Sequence, residues 1–279
     1  MKLLIEPCNK KELIASDGII LPLENFSVES VISYTLDEIK EIVKTYSGEV
    51  FIKMNKNLMN EDIPKAKELL IELDKLNVSG VFFYDLAVLQ LKKELNLKVD
   101  LVWNQTHMVN NYKTCDYYFS KGVKYALLGK EITLDEIKEI IKESKITSMV
   151  EVVSIPSVAF SKRKLLTNYY KSLNKDVKKH LLITEKQSNE KYLVIEDNNG
   201  TCFYLNSITN GTSIIKDLFE VDCKYIIFRE YNVPSFKELV SDTLKYIKNN
   251  CNDDEYINKY KRLGDSTNFF FKKTIYKVK

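Results

Sequence analysis

Thiol and imidazole side chains are scarce in this chain. The five cysteines are widely separated: Cys8, Cys115, Cys202, Cys223 and Cys251. Because no CxxC pair exists, a zinc ribbon or a bound metal cluster has no sequence support, and the cysteines are interpreted as free thiols in a reducing cytoplasm. His107 and His180 are the only histidines, which excludes a His-rich metal site.

Long apolar runs and glycine-rich loops are also missing. No apolar run reaches the ~18 residues that a membrane span requires. The apolar stretch before Glu6 and Pro7 is too short for a signal peptide. The 8 glycines form no Walker loop, no GxGxxG and no GxSxG pattern. We therefore expect a cytoplasmic protein without membrane contact.

Charge is distributed unevenly along a chain of ordinary globular composition, with 44% hydrophobic and 29% charged residues. Residues 156–279 carry 22 Lys and Arg against 15 Asp and Glu, whereas residues 1–155 carry 20 against 24. Arg163, Arg229 and Arg262 are the only arginines, so the positive charge is mostly lysine. Lysine-rich surfaces are first interpreted as solvated, because arginine is the better bidentate reader of phosphate.

The first 155 residues alternate short apolar strands with helical patterns, which indicates βαβ units and a parallel sheet. Eight strands are predicted: Leu3 to Glu6, Gly18 to Leu21, Val50 to Met54, Val81 to Asp85, Val99 to Trp103, Tyr117 to Ser120, Tyr125 to Leu128 and Val150 to Ser154. We therefore predict an α/β fold with a (βα)8-type, TIM-like barrel over residues 1–155. A length of ~250 residues is more usual for such barrels, so a distorted or incomplete one is compatible with the pattern.

Helix start signals support this prediction. Thr35 and Thr133 each open the same capping box, Thr-Leu-Asp-Glu, followed by an apolar stripe. Another helix is predicted to begin near Asp62, with Pro64 in its first turn. A short helical stretch is predicted around Lys11 to Ala15.

Residues 156–279 have a different pattern, which predicts a C-terminal α+β extension. Asn199 and Gly200 lie between two apolar runs, which is a strong hairpin signal. Tyr225 to Phe228 is a further strand candidate, and the segment from Pro234 to Asn249 has helical spacing. The tail from Phe269 to Val278 has the pattern of an aromatic β-strand.

Polar residues at the strand ends are the candidates for chemistry, because the active site of a parallel barrel lies where its strands end. Asp85, Glu131 and Glu151 are candidate catalytic acids and bases, and Asn55 and Gln105 are candidate substrate-binding amides. Each of these side chains has an alternative role as a helix cap or in a loop hydrogen bond; Asp85 in particular is well placed as an N-cap. His107 is more consistent with a neutral surface histidine than with a general base.

A basic segment, residues 161–180, is a candidate nucleic-acid surface. Its cations are Lys162, Arg163, Lys164, Lys171, Lys175, Lys178 and Lys179, and Asp176 is the only acid among them. Tyr169 and Tyr170 add aromatic rings, and alternating cations and rings are typical of proteins that hold single-stranded RNA. A helix with a solvated lysine face would have the same sequence.

The chain resembles the collagenase-like peptidases, or U-32 peptidase family. The resemblance covers about residues 1–250 and is clearest from 49 to 155. It rests on residues 50–55 (VFIKMN), 80–85 (GVFFYD) and 122–137 (GVKYALLGKEITLDEI), together with Gln105 and Asn110. It implies a barrel with Asn110 and Lys130 as further substrate-binding residues, and Lys130 stands where the family usually has arginine.

The family's cysteine motif is missing from this chain. Glu151 matches the glutamate that opens the motif, but Ser157 and Lys164 stand where cysteines are expected, and Lys162 where a glycine is expected. Members with the complete motif are thought to hold an iron–sulfur cluster, and some act in RNA hydroxylation rather than proteolysis. Without the thiolates we expect no cluster and no other cofactor or metal.

The leading hypothesis is a divergent U-32 homologue that binds a peptide or RNA at the barrel mouth, with or without turnover. Two alternatives stay open. One is a cluster-independent peptidase, a hydrolase that uses carboxylates. The other is an RNA-binding accessory protein that acts through Lys162, Arg163 and Lys164 and is related to the RNA-hydroxylation members. The sequence leaves the substrate and the oligomeric state undetermined.

Overall fold

A computed structural model describes residues 1–105 and 108–263, and the backbone of 266–267. Eight parallel strands form its centre: β1 (Lys2–Glu6), β2 (Gly18–Pro22), β3 (Glu49–Met54), β4 (Gly80–Phe83), β5 (Leu101–Trp103), β6 (Tyr125–Leu127), β7 (Thr147–Ser154) and β13 (Tyr225–Arg229). The first seven pair in chain order, and β13 pairs with both β7 and β1. The barrel is therefore closed, which confirms the TIM-like class and shows the barrel to be complete.

The eighth strand is not where the sequence analysis placed it. Tyr117 to Ser120, predicted as a strand, lies in helix α4 (Tyr112–Ser120), which begins where the Asn111 side chain accepts a hydrogen bond from the Thr114 amide. The barrel is closed instead by β13, so the boundary predicted at residue 155 is wrong. Local aromatic content suggested a strand in α4, whereas closure depends on pairing between residues as distant as Leu3 and Ile226.

Helices cover the outside of the barrel. The remaining ones are α1 (Leu36–Thr45), α2 (Ile63–Lys75), α3 (Leu86–Glu94), α5 (Leu134–Glu143), α6 (Leu165–Ser172), α7 (Ile215–Glu220), α8 (Phe236–Lys248) and α9 (Asp254–Tyr260). Both predicted capping boxes are present, at Thr35 and Thr133. The stretch predicted as helical around Lys11 to Ala15 is not helical, so β1 and β2 are joined without a helix. Within the described residues, no helix is both long and apolar enough to cross a membrane.

The barrel interior has an apolar layer below a charged one. Side chains alternate along a strand, so residues two apart on the same strand share a face. The apolar interior layer contains Leu4, Phe51, Val102, Met149 and Ile227. Two residues further along the same strands stand Glu6, Lys53, Asn104, Glu151 and Arg229, all buried. The charged layer therefore occupies the carboxyl ends of the strands.

A second, four-stranded antiparallel sheet is inserted between β7 and β13. Its strands are β8 (Ser157–Ser161), β9 (His180–Thr184), β10 (Lys191–Glu196) and β11 (Thr201–Leu205), in the order β8-β11-β10-β9. We call residues 157–205 the insertion. The predicted Asn-Gly hairpin is confirmed between β10 and β11, where Gly200 has φ +147°.

A short ladder connects the insertion to the rest of the chain. Strand β12 (Ile208–Asn210) pairs antiparallel with β7 and parallel with β14 (Ser266–Thr267). The tail predicted as a strand from Phe269 to Val278 lies outside the described residues, as does His107.

Candidate functional site

Five charged side chains meet at the carboxyl ends of the barrel strands, and we call them the mouth network. They are Glu6, Lys53, Lys130, Glu151 and Arg229. Four are interior strand residues, and Lys130 follows β6. In each of these four strands a buried apolar residue directly precedes the charged one, so the barrel itself brings these charges out of water.

Glu151 is held on both carboxylate oxygens. Its Oε1 lies 2.7 Å from Lys130 Nζ and accepts a short hydrogen bond from the Ser154 hydroxyl. Its Oε2 lies 2.8 Å from Arg229 Nε. The side chain is only 2% exposed, so no face of the carboxylate is open to a substrate.

Glu6 and Lys53 form the other half of the mouth network. Lys53 Nζ lies 3.2 Å and 3.3 Å from the two Glu6 oxygens. It also donates to the Ser30 hydroxyl at 2.8 Å, and that hydroxyl donates to Glu6 Oε1 at 2.9 Å. Arg229 Nε is 3.4 Å from Glu6 Oε2, so this arginine joins the two halves.

The pKa values in the network follow from burial and pairing. Burial alone raises the pKa of Glu151, but Arg229 and Lys130 outweigh it and lower that pKa to about 2. Burial, reinforced by the nearby Arg229, lowers the pKa of Lys53 to about 8, in spite of the attraction of Glu6. Glu151 is therefore an ionised partner rather than a general base poised near neutrality.

Two cavities reach the mouth network, and both are small. One, of about 20 Å³, lies between Glu6, Arg229, Glu29 and Tyr204. The other, of about 10 Å³, lies beside Lys53 and Asn104. A single water needs roughly 10–15 Å³ on this measure, so neither cavity holds more than one or two waters. As the described residues line them, neither of these two cavities has room for a substrate.

The three predicted catalytic acids do not share one environment. Asp85 caps α3 through the Ala87 amide and accepts a second bond from the Leu58 amide, so its role is the N-cap that the sequence offered as an alternative. Glu131 is exposed. Glu151 alone lies in the buried network, where it contacts Lys130, one of the predicted substrate-binding residues.

The side chains of the predicted substrate-binding amides mostly form hydrogen bonds with loop residues. Asn55 Oδ1 accepts from the Val28 amide at 2.9 Å. Gln105 donates to the Tyr84 carbonyl at 2.6 Å. It also accepts from the Trp103 indole at 3.0 Å. Asn110 is half-buried. These contacts order the loops around the barrel mouth.

Lys53 and Arg229 were not among the site residues predicted from the sequence. A usable signal was present for Lys53, because it is a lysine inside an otherwise apolar strand, and a charge in such a strand is buried only when it is paired. Arg229 directly follows the strand candidate Tyr225 to Phe228, but it had not been assigned to the barrel. Its position at the mouth depends on the long-range pairing of β13.

The insertion presents a second, very different charged surface. Its seven cations between Lys162 and Lys179 form no ion pair within 4.0 Å of any residue that the structure describes. The whole of 171–180 is exposed, and Tyr169 is 56% exposed. Lys162 Nζ lies 3.1 Å from Met59 Sδ, on the loop after β3, so the basic segment begins beside the barrel mouth.

Helix α6 is fixed to the insertion by its first turn. The Leu165 amide donates to Thr201 Oγ1 at 3.0 Å, and the Thr167 amide donates to Glu196 Oε2 at 3.1 Å. The Thr167 hydroxyl also donates to Glu196, which is buried. This attachment leaves the outer side of α6, with Tyr169 and Lys171, in solvent.

The fold and the site together define a class of protein, a closed (βα)8 barrel with a charged mouth and an inserted antiparallel sheet. The model of peptidase family U32 matches residues 15–226, and the chain belongs to this family. A solved U32 peptidase is 18% identical, with a TM-score of 0.46 over 56% of this chain and 70% of the other.

The relatives that the chain matches carry names with different roles. The chain is 28% identical over 262 residues to tRNA hydroxylation protein P2 of Bacillus subtilis, which covers 85% of this chain and 84% of the relative. It is 22% identical to tRNA hydroxylation protein P1 of the same organism, over 49% of this chain and 33% of the relative. It is 31% identical to an uncharacterized protease of Methanocaldococcus jannaschii, over 49% of this chain and 35% of the relative.

The iron–sulfur cluster associated with complete family motifs does not fit this chain's residues. The five cysteines lie on separate elements, and four of them are buried. Burial raises the pKa of the Cys202 and Cys223 thiols to about 12, so neither is a ready thiolate. No group of three or more His, Cys, Asp or Glu within the described residues has a geometry that could hold a metal ion.

Proposed function

We propose that this chain is an RNA-binding component of a tRNA-hydroxylation system, and that it supplies RNA contact rather than cluster chemistry. The proposal is carried by the seven exposed cations of the insertion, which form no ion pair with any described residue and lie near the exposed Tyr169. Phosphates attract such cations, and an exposed ring offers a stacking surface for a base. Similarity to tRNA hydroxylation protein P2 over most of both chains favours tRNA as the RNA.

The state of the mouth network supports a binding role over peptide hydrolysis by carboxylates. Both oxygens of Glu151 are engaged by Lys130, Arg229 and Ser154. A general base must reach the proton that it abstracts, and this carboxylate has no open face. We therefore assign the mouth carboxylates to electrostatic support of the barrel, and we place cytoplasmic tRNA on the insertion.

The test is tRNA binding by filter retention across a series of salt concentrations. The variant replaces Lys162, Arg163 and Lys164 with alanine. We expect the affinity for tRNA to fall at least about 10-fold at low salt. The salt slope, which is the slope of the logarithm of the binding constant against the logarithm of salt concentration, should decrease in magnitude by about 1 for each lost phosphate contact. The matched control replaces Lys93, Lys98 and Lys142, exposed lysines at the opposite end of the barrel, and so removes the same charge.

Equal losses in the two triple variants would mean that net charge alone attracts RNA and would contradict a defined surface on the insertion. A peptide-cleavage assay on the purified chain and on Glu151→Gln completes the design. Turnover that disappears in Glu151→Gln would replace the binding role with the peptidase alternative.

A further inference from the structure

The mouth network carries more positive charge than its own carboxylates neutralise. Lys53, Lys130 and Arg229 face two carboxylates, Glu6 and Glu151. The side chain of Glu29 is the third negative charge that acts on Lys53 and Arg229. Glu29, however, is half-exposed and belongs to the loop of residues 24–34, which follows β2. The charge balance of the mouth therefore depends on where this loop lies.

Loop 24–34 also supplies oxygen atoms that accept hydrogen bonds from the buried cations. The Glu29 carbonyl accepts from Lys53 Nζ at 3.0 Å and from Arg229 Nη1 at 3.2 Å. The Ser30 hydroxyl takes a further Lys53 hydrogen bond at 2.8 Å. Two adjacent loop residues thus present a carbonyl and a hydroxyl oxygen to an ammonium and a guanidinium group. The oxygens of a carboxylate or a phosphate would accept hydrogen bonds from the same two groups and would carry a full negative charge.

The backbone of this loop is held in an uncommon conformation. Glu29 and Asn25 both have positive φ, 57° and 61°. Such residues persist where surrounding contacts hold them, and they cluster at ligand clamps and switch segments. The cavity of about 20 Å³ lies directly beneath the loop, between Glu29, Ser30, Glu6 and Arg229.

We propose that loop 24–34 is a lid over a binding site for a small oxyanion, a carboxylate or a phosphate, held by Arg229 and Lys53 after the lid lifts. The anion takes the place of the Glu29 carbonyl and the Ser30 hydroxyl and restores the charge balance. This site is separate from the RNA contact proposed above. The two are linked mechanically, because Asn199 of the insertion donates to the Ser27 carbonyl of the lid at 2.8 Å.

Anion binding is measured on the full chain by isothermal titration calorimetry in a low-chloride buffer, with inorganic phosphate and malonate as separate probes. Ser30→Ala removes an oxygen that competes for Lys53, so we expect about 2- to 10-fold tighter binding. Lys53→Met removes a charged donor and is expected to weaken binding by more than about 10-fold. The gain in Ser30→Ala keeps the test decisive even if Lys53→Met folds poorly.

The control is the alanine triple variant at Lys93, Lys98 and Lys142, exposed lysines at the opposite end of the barrel, which keeps the mouth intact and should bind the anion as the unmodified chain does. Saturation by phosphate alone assigns a phosphate ligand, and saturation by malonate alone assigns a carboxylate. The proposal is overturned if neither probe saturates the chain or Ser30→Ala. It is equally overturned if binding survives Lys53→Met and is lost in the surface variant. Loss of tRNA binding alone affects only the RNA proposal.

Discussion

The barrel mouth and the insertion use positive charge in opposite ways. At the mouth, Lys53 and Arg229 are buried, paired with carboxylates and positioned by strands. On the insertion, Lys171 and Lys175 are exposed and have no ion partner among the described residues. Buried pairs position charges at a cost in desolvation, whereas exposed cations stay available to a polyanion. The charges of the mouth network are thus held against one another, whereas the cations of the insertion are open to solvent.

The strongest way to test this contrast is to remove a charge from each region. Glu151→Gln removes the buried anion that Arg229 and Lys130 share, and we expect a loss of about 3–5 kcal/mol in the free energy of unfolding. Asp176→Asn removes an exposed acid of the insertion and should stay within about 0.5 kcal/mol. Urea unfolding followed by circular dichroism measures both. Similar losses in the two variants would contradict a stabilising mouth network.

Acid should weaken the mouth network. Glu151 has a folded-state pKa of about 2, below its ordinary value of 4.5, so the unfolded chain binds more protons in this window. Its stabilising contribution is complete above pH 4.5 and is lost as pH falls towards 2. The expected loss is on the order of 3 kcal/mol, checked by urea unfolding at several pH values. Glu151→Gln should flatten the profile in this range.

Two exposed tyrosines allow the contribution of base stacking to tRNA binding to be separated from the contribution of charge. Tyr169 on the insertion and Tyr117 on the barrel helix α4 are 56% and 58% exposed. Tyr169→Ala should weaken tRNA binding by about 1–3 kcal/mol, the usual value of one base stacked on an aromatic ring. The salt slope should not change, because no cation is removed. Tyr117→Ala is the control and should bind as the unmodified chain does.

The smallest expected effect concerns helix starts. Helix α5 has a complete capping box at Thr133, whereas α6 begins at Lys164 without a side-chain cap of its own. Thr133→Ala should lower the free energy of unfolding by about 1 kcal/mol. Lys164→Ala should change it much less, while still weakening RNA binding. Urea midpoints and filter binding on the same two variants give the comparison.

Local patterns predicted most of the barrel. Capping boxes, apolar stripes and short apolar strands located β1 to β7 and their helices, apart from the errors at Lys11 to Ala15 and at Tyr117 to Ser120. Closure by β13 was not predicted, since no local pattern records that Leu3 pairs with Ile226. The same limit affected the site. Glu151 was selected from its place at a strand end, but Arg229 enters the mouth only through the closing strand.

The placement of β13 has a consequence for synthesis of the protein. β1 leaves the ribosome before the other barrel strands, yet one of its two neighbours begins at residue 225, after the whole insertion. At 5–20 residues per second, the opening strand waits about 10 to 45 s with one edge unsatisfied. Nascent chains of this protein are therefore expected to depend on chaperones until β13 emerges.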